Sequence, residues 1–314
     1  MKPYAFGVDV GGTSVKLGLF STAGALLEKW EIPTPAKSKS EAVLSDIAAS
    51  IQAKSTEKHI SFTDIEGIGI CVPGTVDDTS TVHMCIDLKW DAFNLKEQMK
   101  RLLPEIPNVV ASNAANAATL GELCQGSGKG YRSTVMLILG TGVSGGICIN
   151  GRIISGLRGG IEAGHMTVNP TEPVRCTCGK HGCLEQYVSS SGIVRMANVM
   201  LTETDTPSVL REMETFSSKD IFDLARSGEG MALEILDRFG DYTGRALNYI
   251  SCTVDPDIFI IGGDINQAGD ILIQPITKYF RKYAFHASVG TPIVLAKLGD
   301  DAGIYGCASM VSCL

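Results

Sequence analysis

The sequence predicts an α/β chain of two lobes, and three observations carry that prediction. Strand-like and helix-like apolar patterns alternate along the chain, so that each half offers strands followed by a crossover helix. Three glycine-rich turns, Gly11-Gly12-Thr13, Gly140-Thr141-Gly142 and Gly262-Gly263, close strand patterns. A length of 314 residues is enough to bury two substantial cores.

Tyr4 to Val10 alternates into a strand, and Gly11 to Ser14 turns it into a second strand from Val15 to Phe20. Ser40 to Lys54 places Val43, Leu44, Ile47 and Ile51 at helical spacing, with Ser40 as N-cap. Ile65 to Val72 reads as a buried strand that ends in the loop Pro73-Gly74-Thr75-Val76-Asp77. A helix over Asn94 to Leu103 stops at Pro104; a brief strand over Asn108 to Ala111 then meets a small-residue helix from Asn113 to Gln125. Thr134 to Leu139 is a strand, and Asn150-Gly151 marks a type I' hairpin between Ile147 and Ile154. Helices follow over Gly192 to Leu201, Lys219 to Arg226 and Gly230 to Ser251. A strand over Asp257 to Ile261, a helix near Ile271 to Tyr283, a strand near Ile293 to Ala296 and a helix from Asp301 to Ser312 complete the chain.

Composition narrows the function classes. A net charge of -7 with no Lys/Arg stripe excludes a nucleic-acid footprint. No window approaches the ~18 uninterrupted apolar residues of a membrane span. Met1 to Gly7 enters a strand at once, without a signal peptide, so a cytoplasmic protein is expected. The ten Cys lie largely in apolar contexts such as Gly69-Ile70-Cys71-Val72, as buried thiols do in a reducing compartment.

One segment breaks that pattern. Between Ile161 and Glu185 the chain places Glu162, His165, Cys176, Cys178, Cys183 and Glu185. The spacing Cys-x-Cys-x4-Cys lets three thiolates converge on one cation, and Gly179 and Gly182 permit the tight turns this needs. His165 is the economical fourth ligand for a zinc tetrahedron; Cys124, His181 and Cys148 are the rivals, and water would make the site catalytic. A closed site is structural, and zinc would then position Glu162 and Glu185.

The first two glycine turns have phosphate-cradling chemistry. Gly11 and Gly12 let backbone amides approach phosphate oxygens, Thr13 and Ser14 add hydroxyls, and Asp9 can hold magnesium or its waters. The spacing is not that of a Walker loop. Two such turns about one lobe apart suit a nucleotide gripped between lobes.

With these residues in place, the chain resembles the sugar kinases of the ROK family (repressor, open reading frame, kinase). The likeness runs nearly end to end, through Asp9-Val10-Gly11-Gly12-Thr13, Val72 to Asp77, Leu139 to Gly142, Glu162-Ala163-Gly164-His165, Cys176 to Glu185 and Ile261-Gly262-Gly263. The resemblance implies the actin-like ATPase (ribonuclease H-like) fold, two α/β lobes around a cleft, with 1–112 plus 301–314 as the small lobe and 113–300 as the large one. It implies an ATP-dependent hexose kinase, glucokinase-like, with Asp9, Gly11, Gly12, Thr13, Lys16, Gly140, Thr141, Gly142, Gly262 and Gly263 at MgATP. Gly74, Asn113, Glu162, His165 and Glu185 would hold sugar hydroxyls, and His165, Cys176, Cys178 and Cys183 a structural zinc. A homodimer is expected, with ATP and a sugar as small-molecule partners, and the DNA-binding extension that repressor members carry ahead of the first strand is not expected.

Two positions depart from the family pattern. Family kinases read Asn-Asp after the short strand, the Asp being the general base that accepts the sugar hydroxyl proton; here the pair is Asn113-Ala114. A positioned base is worth ~10²–10⁴ in rate, so this chain is expected to bind sugar and nucleotide but to transfer phosphate slowly or not at all. An engineered Asp→Ala change and a natural loss of catalysis are the two explanations. The second departure is Asp87, where family members often have Asn. Three functions stay in play: a hexose or N-acetylhexosamine, allose or fructose kinase, a non-catalytic sugar sensor, and a zinc hydrolase.

Overall fold

The computed structural model describes residues 2–35, 39–86, 88–156 and 161–312. In chain order the elements are β1 (Tyr4–Val10), β2 (Ser14–Ser21), β3 (Leu26–Pro33), α1 (Ser40–Glu57), β4 (Ile65–Val72), β5 (Thr75–Val76), β6 (Thr81–Met84) and β7 (Phe93–Asn94). Next come α2 (Leu95–Leu102), β8 (Asn108–Asn113), α3 (Ala114–Gln125), β9 (Thr134–Leu139), β10 (Val143–Ile149) and β11 (Arg152–Ile153). Then follow α4 (Glu185–Val188), α5 (Ser190–Glu203), α6 (Ser218–Arg226), α7 (Gly230–Val254), β12 (Ile258–Gly262), α8 (Ile273–Tyr283), β13 (Ile293–Leu295) and α9 (Ala302–Ser312). The expected α/β class is what these elements form.

The chain packs as two compact units. The first is Met1–Ser133, Gly146–Ile161 and Lys297–Leu314. Its sheet runs β3-β2-β1-β4-β8, with β1, β2 and β3 antiparallel and β1, β4 and β8 parallel. Phe6, Val8, Leu17, Ile47, Ile51, Ile68 and Ile70 are fully buried in the core between sheet and helices. On the other face α9 approaches so closely that backbone meets backbone: a Cβ on Gly69 would lie 1.8 Å from the Cys307 carbonyl oxygen, and one on Gly306 1.7 Å from that of Ala117 in α3. Glycine is therefore required at both positions.

The second unit is Thr134–Gly145 and Glu162–Ala296. Its sheet strands include β9, β12 and β13, with β12 parallel to both β9 and β13. The paired helices α7 and α8 bring Gly240 and Gly244 against the backbone of Pro275 and Phe280. No described helix is long and apolar enough to cross a membrane.

Within the first unit α3 packs on α9, and 146–161 belongs to the same unit. Several local expectations change. Ser40 is the first helical residue of α1 rather than its cap; Lys39 takes that position without a side-chain bond. The strand β3, unforeseen in the sequence, alternates half-buried and exposed residues and ends at Pro33, as an edge strand does. The expected departure at Asp87 lies outside the described residues.

Candidate functional site

In the first unit Asp9 is the next-to-last residue of β1, paired in register with Lys16 on β2 and Cys71 on β4. The Gly11 amide donates to the Ser14 carbonyl at 2.9 Å and the Thr34 hydroxyl to the Gly11 carbonyl at 2.9 Å, which fixes the turn. Gly12 and Thr13 stay exposed at its tip, and a Cβ on Gly12 would meet nothing. The Cys71 thiol donates to Asp9 Oδ1 at 3.1 Å. Burial raises the Asp9 carboxyl above its ordinary range, against the pull of that thiol and of Lys16. The neighbouring Cys307 thiol, together with burial, pushes the Cys71 thiol well up, so it remains a donor. Lys16 turns to Asp300, its Nζ 3.2 Å from the carbonyl and 3.8 Å from the carboxylate.

Asn113 is held between helix and loop. Its Oδ1 accepts the amide hydrogens of Ala115 at 2.8 Å and Asn116 at 3.4 Å, and its Nδ2 donates to the Gly74 carbonyl at 2.8 Å. Both expected sugar contacts of this unit, Gly74 and Asn113, are thus joined. Ala114, half-buried, is the first residue of α3 and offers no acceptor.

In the second unit His165, Cys176, Cys178 and Cys183 converge, their ligand atoms all within 4.8 Å of one another. Cys178 Sγ lies 3.6 Å from Cys183 Sγ, and Cys176 Sγ 3.7 Å from His165 Nδ1. Two thiolates on one tetrahedral zinc sit about 3.8 Å apart, given Zn–S bonds of about 2.3 Å. The donor set and its spacing fit that ion. Gly179 and Gly182, with φ of 87° and 69°, make the turns between the cysteines. Burial pushes the Cys183 thiol up to about 12, while the backbone amide of Lys180 draws Cys178 down. Of the rival ligands, His181 Nδ1 is 3.0 Å from the Glu172 carbonyl, Cys148 is buried beside Cys71 and Cys307, and Cys124 packs against that same cluster.

The same unit carries the second glycine turn. Glu185, which opens α4 two residues after Cys183, accepts the Val143 amide hydrogen on Oε2 at 3.0 Å. Its other oxygen is 3.5 Å from the Thr177 hydroxyl. Gly164 packs on Val143 so tightly that a Cβ would lie 2.2 Å from the Val143 carbonyl oxygen. Glu162 precedes this glycine, exposed, at the head of the turn Ala163–His165. Gly263, with φ of 89°, lies against the end of β9, and a Cβ on Gly140 would be 3.4 Å from Asp264 Oδ2. The Ser190 amide donates to the Gly140 carbonyl at 2.8 Å. Beside this group opens a cavity of about 220 Å³ lined by Ser190, Lys219, Phe222, Asp223, Arg226 and Asp264.

None of these cavity residues was singled out in the sequence, although Asp264 follows the Gly262-Gly263 turn directly. A buried support behind the cysteine cluster was also missed. Glu172 binds Arg195 Nη2 at 3.1 Å and the Tyr187 hydroxyl, and Tyr187 stacks on Tyr242 at 3.9 Å. Burial works against the Glu172 carboxylate, but these two hydrogen bonds hold it below its ordinary range.

The ROK family model matches residues 5–313 of this chain. A glucokinase of Halalkalibacterium halodurans is 36% identical over 306 residues, covering 96% of this chain and 92% of the relative. A glucokinase of Thermotoga maritima is 34% identical over 312 residues, covering 97% of this chain and 96% of the relative. Among solved structures, a ROK family glucokinase from Streptomyces griseus in complex with glucose and AMPPNP superposes with a TM-score of 0.73 at 30% identity, covering 98% of this chain and 99% of the other. The mixed α/β sheets and these neighbours correspond to the actin-like ATPase fold expected from the sequence.

Proposed function

This chain belongs to the ROK family, and from that premise we propose that it is built as an ATP-dependent hexose kinase. It would transfer the terminal phosphoryl group of MgATP to the 6-hydroxyl of glucose or a close relative. The observation that carries this reading is the bond from Val143 to Glu185, which ties a carboxylate beside the cysteine cluster to the 140–142 turn.

In this reading Asp9, Gly11, Gly12, Thr13 and Lys16 meet the ATP phosphates and their magnesium, with Gly140, Thr141 and Gly142 as the second phosphate turn. Gly262 and Gly263 lie at the nucleotide, and the neighbouring cavity takes its nucleoside. Gly74, Asn113, Glu162, His165 and Glu185 bind sugar hydroxyls. His165, Cys176, Cys178 and Cys183 hold zinc, which supplies rigidity to the segment carrying Glu162 and Glu185. The functional lobes are 1–112 with 301–314, and 113–300, and the protein pairs as a homodimer.

Phosphoryl transfer of this kind rests on positioning and on charge stabilisation, with a carboxylate accepting the proton of the attacking hydroxyl. Ala114 supplies no such group, so the chain binds both substrates and turns them over slowly. The rest of the site is intact, and for that reason we read Ala114 as a replacement made in an active parent. The test is a coupled assay of ADP release with glucose, N-acetylmannosamine, N-acetylglucosamine, allose and fructose, run on this chain and on Ala114→Asp. Turnover of one sugar by the variant alone supports the kinase and names its substrate.

Ala114 itself favours one other reading, a sugar sensor that binds without catalysis. Silence of both proteins in the assay, with sugar binding seen by calorimetry, selects it.

A further inference from the structure

A second layer of chemistry lies beneath the first glycine turn. Cys71 sits on β4 directly beside Asp9 in the parallel register, fully buried, with its thiol 3.1 Å from Asp9 Oδ1. Cys307 on α9, equally buried, donates to the Val8 carbonyl at 3.2 Å, one residue before Asp9. The other carboxylate oxygen lies against the start of α9, where a Cβ on Gly303 would be 2.4 Å from Asp9 Oδ2. Lys16, the cation nearest in the strand pairing, is drawn away to Asp300. The carboxylate is thus fixed from below by a thiol and from the side by a helix, not by a salt bridge.

We propose that Cys71 is a positioning residue for Asp9, holding its carboxylate in the orientation that receives the magnesium of a bound nucleotide; the proposal rests on the reading of Asp9 given above. A thiol suits this place. It is a weak donor, so it orients one oxygen without competing strongly for the negative charge that a divalent cation needs. It is also small and apolar enough to lie in the tight layer between β4 and α9.

The test is calorimetry of AMPPNP binding to the full chain as Mg2+ is titrated, with the melting temperature of each variant recorded. Cys71→Val fills the space without a donor, whereas Cys71→Ser keeps a donor at a shorter reach. The expected result is that Cys71→Val weakens the Mg2+-dependent part of binding roughly tenfold, and that Cys71→Ser recovers most of it. A pure packing role gives the opposite order, with valine matching the parent and serine worse, and that order overturns the proposal. Asp9→Asn separates the two levels of inference. If Asp9→Asn loses Mg2+ dependence while Cys71→Val binds like the parent, the role of Cys71 falls alone. If Asp9→Asn also binds like the parent, the reading of Asp9 falls and takes this proposal with it.

Discussion

Glu185 Oε2 accepts the amide hydrogen of Val143 at 3.0 Å, so one carboxylate two residues from Cys183 braces the turn Gly140-Thr141-Gly142. Hydrogen bonds to a charged group are worth about 1.5–3 kcal/mol, enough to set the turn's shape. Glu185→Ala is expected to weaken both sugar and AMPPNP binding, and Glu185→Gln, which keeps an acceptor, to spare the nucleotide more than the sugar. Calorimetry with each ligand separately reads the difference; an effect on sugar alone in Glu185→Ala refutes the bracing role.

If the proposed kinase reading holds, introducing a carboxylate with Ala114→Asp is expected to raise turnover ~10²–10⁴-fold, the usual worth of a positioned base. It should not cost stability. Position 114 is the first residue of α3, where a negative charge meets the helix dipole favourably by about 0.3–1 kcal/mol. Melting curves of the two proteins, taken alongside the assay, check this half of the prediction.

Zinc should co-purify at one ion per chain, held by thiolates and one imidazole. Because the ligands must lose protons to bind, acid should release it, and strong chelators should lower the melting temperature. Cys178→Ser, at an exposed ligand, is expected to lose metal and sugar affinity together. Metal analysis of the purified variant gives the first answer, and full zinc occupancy there argues against the assigned ligand.

Asp9 offers a prediction about pH. Its carboxyl is raised by burial, so the folded state binds that proton more tightly than the unfolded state does. Ionisation therefore costs stability, a cost absent below the ordinary value of 3.8 and fully present once the pH has risen through the folded value. Asp9→Asn should be more heat-stable than the parent at neutral pH, with the gain fading in acid. Thermal melts across that range measure it, and a gain that grows in acid would contradict the sign.

Glu122 on α3 is fully buried and accepts the amide hydrogens of Ser127 at 2.8 Å, Lys297 at 2.9 Å and Leu298 at 2.6 Å. Removing it takes this acceptor away from three amides. Glu122→Ala should cost about 3 kcal/mol and Glu122→Gln less, read from urea unfolding.

Elements bounded by strong local signals were legible in the sequence. Ile65–Val72 and Thr134–Leu139 are apolar runs closed by turns, and each is a strand over that same range. β3 was not, because Glu28, Lys29 and Glu31 dilute its apolar pattern and only an edge position accommodates them. The cysteine cluster was legible for a related reason: its cysteines lie within eight residues, so spacing alone constrains them. The bond from Cys71 to Asp9 spans 62 positions and that from Leu298 to Glu122 spans 176, and nothing local announces either. Asn113, which the sequence places at the head of the helix and among the sugar contacts, is the cap of α3.

The packing of α9 on β1, β4 and α3 also orders events during synthesis. The first unit draws its last helix from beyond the whole of the second unit, which is itself almost continuous. On a translating ribosome the inner strands of the first sheet wait, with one face uncovered, until Ala302–Ser312 has emerged. The glycines that let α9 lie flush on that sheet leave no side chain to shield it meanwhile. The site's first glycine turn is therefore made well before the helix that locks it in place.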